Sequence, residues 1–110
     1  MRRQVSTAAA AALRAVHDDP AHAWSVSELA ARATVSRATL TRCFAATIGE
    51  PPLSYLARWR MLRAARLLRD TSDPLAAVAR AVGYGSEFAF AKAFKRHHGT
   101  APGAYRRQAA

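Results

Sequence analysis

Arg42 and Lys92 stand fifty residues apart in a chain of 110, each six positions beyond a serine. Cations held on a fixed frame pair with anions, and an arginine guanidinium can grip two acceptors at once. No other chemistry competes with this. His17, His22, His97 and His98 fit no metal-ligand spacing, and no paired acids or nucleophile motif occurs. Neither catalysis, a metal nor a cofactor is therefore expected. Cys43, the one cysteine, excludes an internal disulfide framework and a thiolate-rich zinc site. It falls between Leu40 and Phe44 on an apolar stripe and reads as a small core hydrophobe.

The whole chain shares the bias of its two marked cations. Lys and Arg number 17 against 7 Asp and Glu, a net charge of +10, and all the cations but Lys92 and Lys95 are arginine. Such an excess points to a polyanionic partner, with nucleic acid as the first candidate. Hydrophobic residues make up 51%, far too many for a disordered basic tail. Much of that share is alanine, which favours close-packed helices. No stretch approaches the ~18 apolar residues that span a bilayer. Met1-Arg2-Arg3 followed by Ala8 to Leu13 imitates a signal peptide, but Arg14 and His17 interrupt the apolar run. The segment reads as a helix, and the protein as cytoplasmic.

The elements that must position the cations follow from punctuation. Ala9, Ala12, Leu13 and Val16 recur at helical spacing and predict a first helix ending before Pro20. Ser25-Val26-Ser27-Glu28 is a capping box, with Trp24 and Leu29 as its hydrophobic staple, opening a second helix to about residue 33. Ser36 is the N-cap of a third, striped by Leu40, Cys43, Phe44 and Thr47 and closed by Gly49. Pro51-Pro52 starts a long helix to Asp70, with Ala57, Met61, Ala64, Ala65 and Leu68 inward. Asp73-Pro74 reads as N-cap and first helical residue of a fifth helix ending at Gly83. Ser86 caps a sixth, carrying Phe90 and Phe94 and stopped by Gly99, and Pro102 begins a last one containing Tyr105. Nothing alternates with the period of a strand, so the fold is all-α with about seven helices.

An internal repeat organises these helices. A shift of 50 superposes Ser36 on Ser86, Leu40 on Phe90, Phe44 on Phe94, Gly49 on Gly99, Pro52 on Pro102 and Tyr55 on Tyr105. Upstream the offset is 49, bringing Leu29-Ala30 onto Val78-Ala79 and Val35 onto Tyr84. Two copies with a long helix inside the period indicate a duplicated module rather than a solenoid. Each copy is a short Ala-rich helix, a tight turn and a second helix with a polar outer face, which is a helix-turn-helix. Two other classes share the basic helical composition. A nonspecific packaging protein would bind random DNA with a flat ranking. An Arg-rich interfacial membrane peptide would gather its apolar residues on one helix, whereas here they are spread over several.

The segments "VGYGSEFAFAKAFKR" and "PGAYRR", with "LAARATVSRATLTRCF" upstream, resemble the DNA-binding domain of AraC/XylS-type bacterial transcription regulators. The resemblance spans about residues 20–107. It implies two helix-turn-helix subdomains, residues 1–51 and 71–110, joined by a central helix over 52–70. Double-stranded DNA is the implied partner, bound sequence-specifically on the nucleoid, and RNA polymerase a further one. Members usually carry an effector or dimerisation domain as well, so this chain reads as a piece of a longer regulator. Thr34 departs from the family, which commonly has glycine at the first turn. Threonine fits there if φ is negative, and costs stability if the turn is left-handed.

The recognition helices are expected at about 37–48 and 87–98, in successive major grooves. Helical spacing turns Arg37, Ala38, Thr41, Arg42 and Ala45 away from Leu40 and Phe44, and the resemblance makes Ala38, Thr41 and Arg42 the base-facing ones. Arg42 can clamp guanine O6 and N7, while Ala38 or the Thr41 methyl can pack on a thymine methyl. The matching second set is Glu87, Phe88, Ala91 and Lys92. Glu87 can accept from cytosine N4 or simply complement the helix dipole. Phe88 can meet thymine methyls or fold back into the domain. Candidate phosphate contacts are Ser36, Arg37, Arg58, Arg60, Ser86, Lys95, Arg96 and Arg106. Trp59, between two arginines, reads as a core residue.

Overall fold

The computed structural model describes residues 2–110, with side chains from Thr7 onward, so Met1 and the side chains that open the signal-like start lie outside the described residues. Seven helices follow in order: α1 (Arg2–Asp18), α2 (Val26–Arg32), α3 (Arg37–Ile48), α4 (Pro52–Asp70), α5 (Leu75–Ala81), α6 (Glu87–His98) and α7 (Pro102–Ala109). No strand occurs among the described residues. The chain forms two compact units, one ending at Ala57 and the other spanning Arg58–Ala110, so the boundary falls within α4. Among the described residues no helix is long and apolar enough to cross a membrane.

In the first unit α1 packs on α2 and α3. Its contact face is Ala8, Ala9, Ala12, Ala15 and Val16, all buried, and small side chains allow the helices to approach closely. Leu29, Ala30, Leu40 and Phe44 complete this core. The capping box of α2 is formed in both directions. Ser25 Oγ accepts from Glu28 N at 3.1 Å, and Glu28 Oε1 accepts from Ser25 N at 3.2 Å. Trp24 and Leu29, the two staple residues, are both buried. His22 Nε2 lies 2.9 Å from Glu28 Oε2, and this hydrogen bond holds the Glu28 carboxyl below its ordinary value. The stripe of α3 is narrower than its spacing suggests, with Cys43 half-buried and Thr47 exposed. Leu40 and Phe44, one turn apart, fill the contact by themselves.

The second unit is built around Met61, Ala64, Ala65 and Leu68 of α4, Val78, Ala79 and Val82 at α5, and Phe90, Ala93 and Phe94 of α6. Tyr84 and Tyr105 pack against that cluster. Every buried residue named in either unit is apolar apart from backbone, and among the described residues none that is polar or charged is buried. The orientation of both recognition helices is therefore set by shape and area, not by buried polar pairs.

The repeat is written into the hydrogen bonds. Ser36 Oγ accepts from Thr39 N at 3.1 Å, and Ser86 Oγ from Ala89 N at 3.0 Å. Val35 N donates to Ala30 O and Tyr84 N to Ala79 O, closing the two turns alike. Gly49 and Gly99 end α3 and α6 in left-handed geometry, φ 96° and 82°. Phe44 meets Tyr55 edge-on at 5.8 Å, and Phe94 meets Tyr105 edge-on at 5.2 Å. The copies diverge at one cap. Ser25 corresponds to Pro74, which is the N-cap of α5 and has no side chain to accept from the helix.

That cap corrects an expectation. Asp73 does not cap α5: the helix begins one residue later with Pro74 as its N-cap, and the Asp73 backbone is engaged elsewhere, its N–H donating to Thr71 Oγ1 and its carbonyl accepting from Arg106 Nη1 at 2.7 Å. The carbonyl of Pro74 instead receives the first bonds of the helix, from Ala77 and Val78. The turn residue Thr34 has φ 56°, where its counterpart Gly83 has φ 95°. The first turn thus takes the left-handed form, for which threonine carries a steric cost. The Thr34 hydroxyl donates locally to Ala33 O at 2.6 Å.

Candidate nucleic-acid interface

The outer face of α3 is built from the residues its buried stripe excludes. Ser36 commits its hydroxyl to the cap, fixing where the helix begins, and Leu40 and Phe44 fix its rotation. Arg37, Ala38, Thr41 and Arg42 are then exposed together. With Val26 they line an open, shallow depression. Val26 was not singled out from its type or spacing; it comes from the first turn of α2 and forms an apolar edge beside Ala38. The first turn of α3 holds no acidic residue, so its free N–H groups and partial positive charge face outward without a carboxylate to offset them.

The equivalent face of α6 is different in chemistry. Phe88 does not fold back: it is 73% exposed. The Lys92 ammonium stands 5.5 Å from its ring centroid, a cation–π contact one helical turn along. Phe88, Lys92 and Arg96, at successive i+4 positions, line a second shallow depression with Tyr84, Ala89 and Ala93. Ala91 is half-buried, and Glu87 is exposed in the first turn of the helix. The basic residues Lys95, Arg96, His97 and His98 fill the last turn, where cations complement the helix dipole.

The cations expected at phosphates fall into two groups. Arg37, Arg58, Lys95 and Arg96 are exposed. Arg60 and Arg106 are turned to intramolecular work. Arg60 is half-buried over the Tyr84 ring at 5.9 Å, and burial pulls its pKa below the ordinary value. Its guanidinium lies so near the turn that a Cβ on Gly83 would fall 2.8 Å from Nη2. Arg106 donates Nε to Leu68 O at 3.1 Å and Nη1 to Asp73 O at 2.7 Å, capping the end of α4 and tying α7 to it. Trp59, on α4, is half-buried and absent from both depressions. The types of Arg60 and Arg106 could not separate them from surface arginines. Only contacts with residues more than twenty positions away do so.

Comparison with known proteins places this geometry in context. A helix-turn-helix domain family matches residues 29–108. An AraC-like transcription regulator of Streptomyces antibioticus is 57% identical over 98 residues, covering 89% of this chain and 32% of that protein. The RCS-specific helix-turn-helix-type transcriptional activator RclR of Escherichia coli is 41% identical over 87 residues, covering 79% of this chain and 31% of its own length. The chain thus spans about a third of the curated relatives it matches. Among solved structures, the DNA-binding domain of AdpA in complex with a target DNA has a TM-score of 0.86 at 34% identity, covering 91% of this chain and 90% of that one. The C-terminal domain of AraT from Geobacillus stearothermophilus has a TM-score of 0.90 at 28% identity, covering 94% and 87%.

Proposed function

The chain belongs to the AraC-type helix-turn-helix family of bacterial transcription regulators and is a DNA-binding domain of that kind; from this premise we propose how it reads DNA. Helices α3 and α6 enter successive major grooves. Ala38, Thr41 and Arg42 face bases from the first, and Glu87, Phe88, Ala91 and Lys92 from the second. Arg42 is the guanine clamp, since a guanidinium offers two parallel donors to O6 and N7. Phosphates are met by the N-termini of both helices at Ser36 and Ser86 and by Arg37, Arg58, Lys95 and Arg96. Arg60 and Arg106 act behind that surface, holding the Gly83 turn and the end of α4. In functional terms residues 1–51 and 71–110 are the two reading modules, and residues 52–70 connect them.

The observation that supports this most is the duplication of one frame, a serine-capped helix after a closed turn, with different side chains on each outer face. A conserved frame with variable outer chemistry suits sequence reading better than packaging. The domain works on DNA in the cytoplasm and serves a longer regulator that also carries an effector or dimerisation domain, with RNA polymerase as a further partner. Selection from randomised duplexes with the purified chain tests the reading. Recovery of one strongly preferred motif is the expected result, and a flat ranking would instead identify a packaging protein.

A further inference from the structure

The second unit contains a groove that DNA reading leaves unused. It measures 370 Å³, within the range of ~300–1,000 Å³ typical of small-molecule sites. Trp59, Leu62 and Leu67 supply apolar wall, and Leu62 is 49% exposed. Arg63, Arg66 and Arg69 also line it, and no acidic residue does. Arg69 Nη1 is spent on the Tyr105 hydroxyl at 2.7 Å, which fixes that ring at the groove's side. Arg63 Nε is different: it is buried and meets no acceptor among the described residues. A buried donor without a partner is uncommon in a native fold, and since the Arg63 side chain is only half-buried and lines the groove, a small turn of it brings that donor to an acceptor bound there.

These features select a ligand class. A neutral apolar molecule would cover Leu62 and Trp59 but leave Arg63 Nε unpaired. A bare inorganic anion would pair with the arginines and leave the apolar wall in water. A carboxylate on an apolar body does both, and a guanidinium edge matches a carboxylate well. We propose that this groove binds a small amphipathic carboxylate, an aryl or medium-chain alkyl acid, with its body against Trp59, Leu62 and Leu67 and its carboxylate on Arg63. Arg66, exposed at the rim, adds attraction at longer range. The site lies within the DNA-binding unit itself, so an acidic metabolite would act there directly.

The chain has two tryptophans, Trp24 in the first unit and Trp59 in the groove, which gives an internal control. In a nitrogen-15 spectrum, octanoate should shift the Trp59 indole N–H saturably and leave that of Trp24 in place. Acetate and 1-octanol, each carrying half of the chemistry, should bind at least about tenfold more weakly, the loss expected when a charge-assisted hydrogen bond or the apolar contact is removed. Arg63→Met should weaken octanoate by a similar factor, and Leu62→Glu, at a half-exposed position that folding tolerates, should abolish the shift. Circular dichroism would confirm that both variants keep their helices. No saturable shift of Trp59, equal affinity for octanol and octanoate, or unaltered binding by Arg63→Met would overturn the assignment. So would an acidic amphipathic peptide or a short duplex that moves Trp59 in preference to octanoate. None of these readouts depends on sequence-specific DNA binding, so the site stands or falls separately from that function.

Discussion

Thr34 shows what a single residue can hide. Its φ of 56° occupies the position that Gly83 fills in the second copy. Its type could not announce that the turn is left-handed; only the closure of Val35 N on Ala30 O, matched by Tyr84 N on Ala79 O, makes it so. Relieving the steric cost, partly offset by the greater unfolded-state entropy that glycine brings, Thr34→Gly should stabilise the domain by roughly 0.5–1 kcal/mol. Gly83→Ala should do the reverse, since a Cβ there meets Arg60 as well. Urea denaturation of both variants checks the pair, and a destabilised Thr34→Gly protein would mean that the threonine is not strained. Residue type was equally silent on the arginines. Arg42 and Arg96 are exposed on recognition helices, whereas Arg60 and Arg106 are held by contacts inside the second unit. Arg42→Ala should therefore cost about 1–3 kcal/mol in DNA affinity and relax preference at one base pair. Arg96→Ala should weaken all sequences alike and lower the salt slope by about one. A selected motif unchanged by Arg42→Ala would reduce Arg42 to a phosphate contact.

At the scale of elements, punctuation was the legible part. Serine caps, left-handed glycines and helix-starting prolines act through local backbone chemistry, so Ser25, Ser36, Ser86, Gly49, Gly99 and Pro102 could be read from their types and spacing. The spacing of Leu40 with Phe44, and of Phe90 with Phe94, likewise gave the rotation of both recognition helices. What failed was an assignment that depended on distant partners. Asp73 has the right type for a cap, but α5 begins one residue later at Pro74, while the Asp73 carbonyl is tied to Arg106, 33 residues on. The width of the α3 stripe failed similarly, because the shape of the opposing surface decides whether Cys43 and Thr47 are covered. Leu40→Ala and Phe94→Ala remove fully buried side chains at the hearts of the two units. Each should destabilise by about 2–5 kcal/mol, with the spread set by how far each site can collapse. Chemical denaturation reads this directly, and losses below about 0.5 kcal/mol at both sites would contradict their burial.

For the whole molecule, charge and its distribution decide how DNA is held. With a net charge of +10, positioning on about 6–10 phosphates would make affinity fall ~10³–10⁵-fold between 50 and 200 mM salt, whereas a salt-independent isotherm would remove the electrostatic basis of binding altogether. The two reading faces, however, are unequal. Helix α3 presents Arg42 and Thr41 with no carboxylate in its first turn, so its N-terminus attracts phosphate and its arginine is available for two hydrogen bonds to a guanine. Helix α6 begins with Glu87, which repels phosphate, and its Lys92 ammonium lies over the Phe88 ring. A lysine is a point donor without the guanidinium's fork, and an exposed phenylalanine recognises only methyl groups and deformable steps. The half-site under α3 should therefore be strongly specified, and that under α6 should favour flexible steps such as TA or CA over particular bases. The expected site is nonpalindromic, with unequal information in its halves and stronger hydroxyl-radical protection on the α3 side. Replacing Lys92 by arginine should sharpen the weaker half by restoring a bidentate donor, while leaving the stronger half unchanged. Selected sites with equally informative halves, or a palindrome occupied by two chains, would show that the chemical difference between the two helices does not govern what the domain reads.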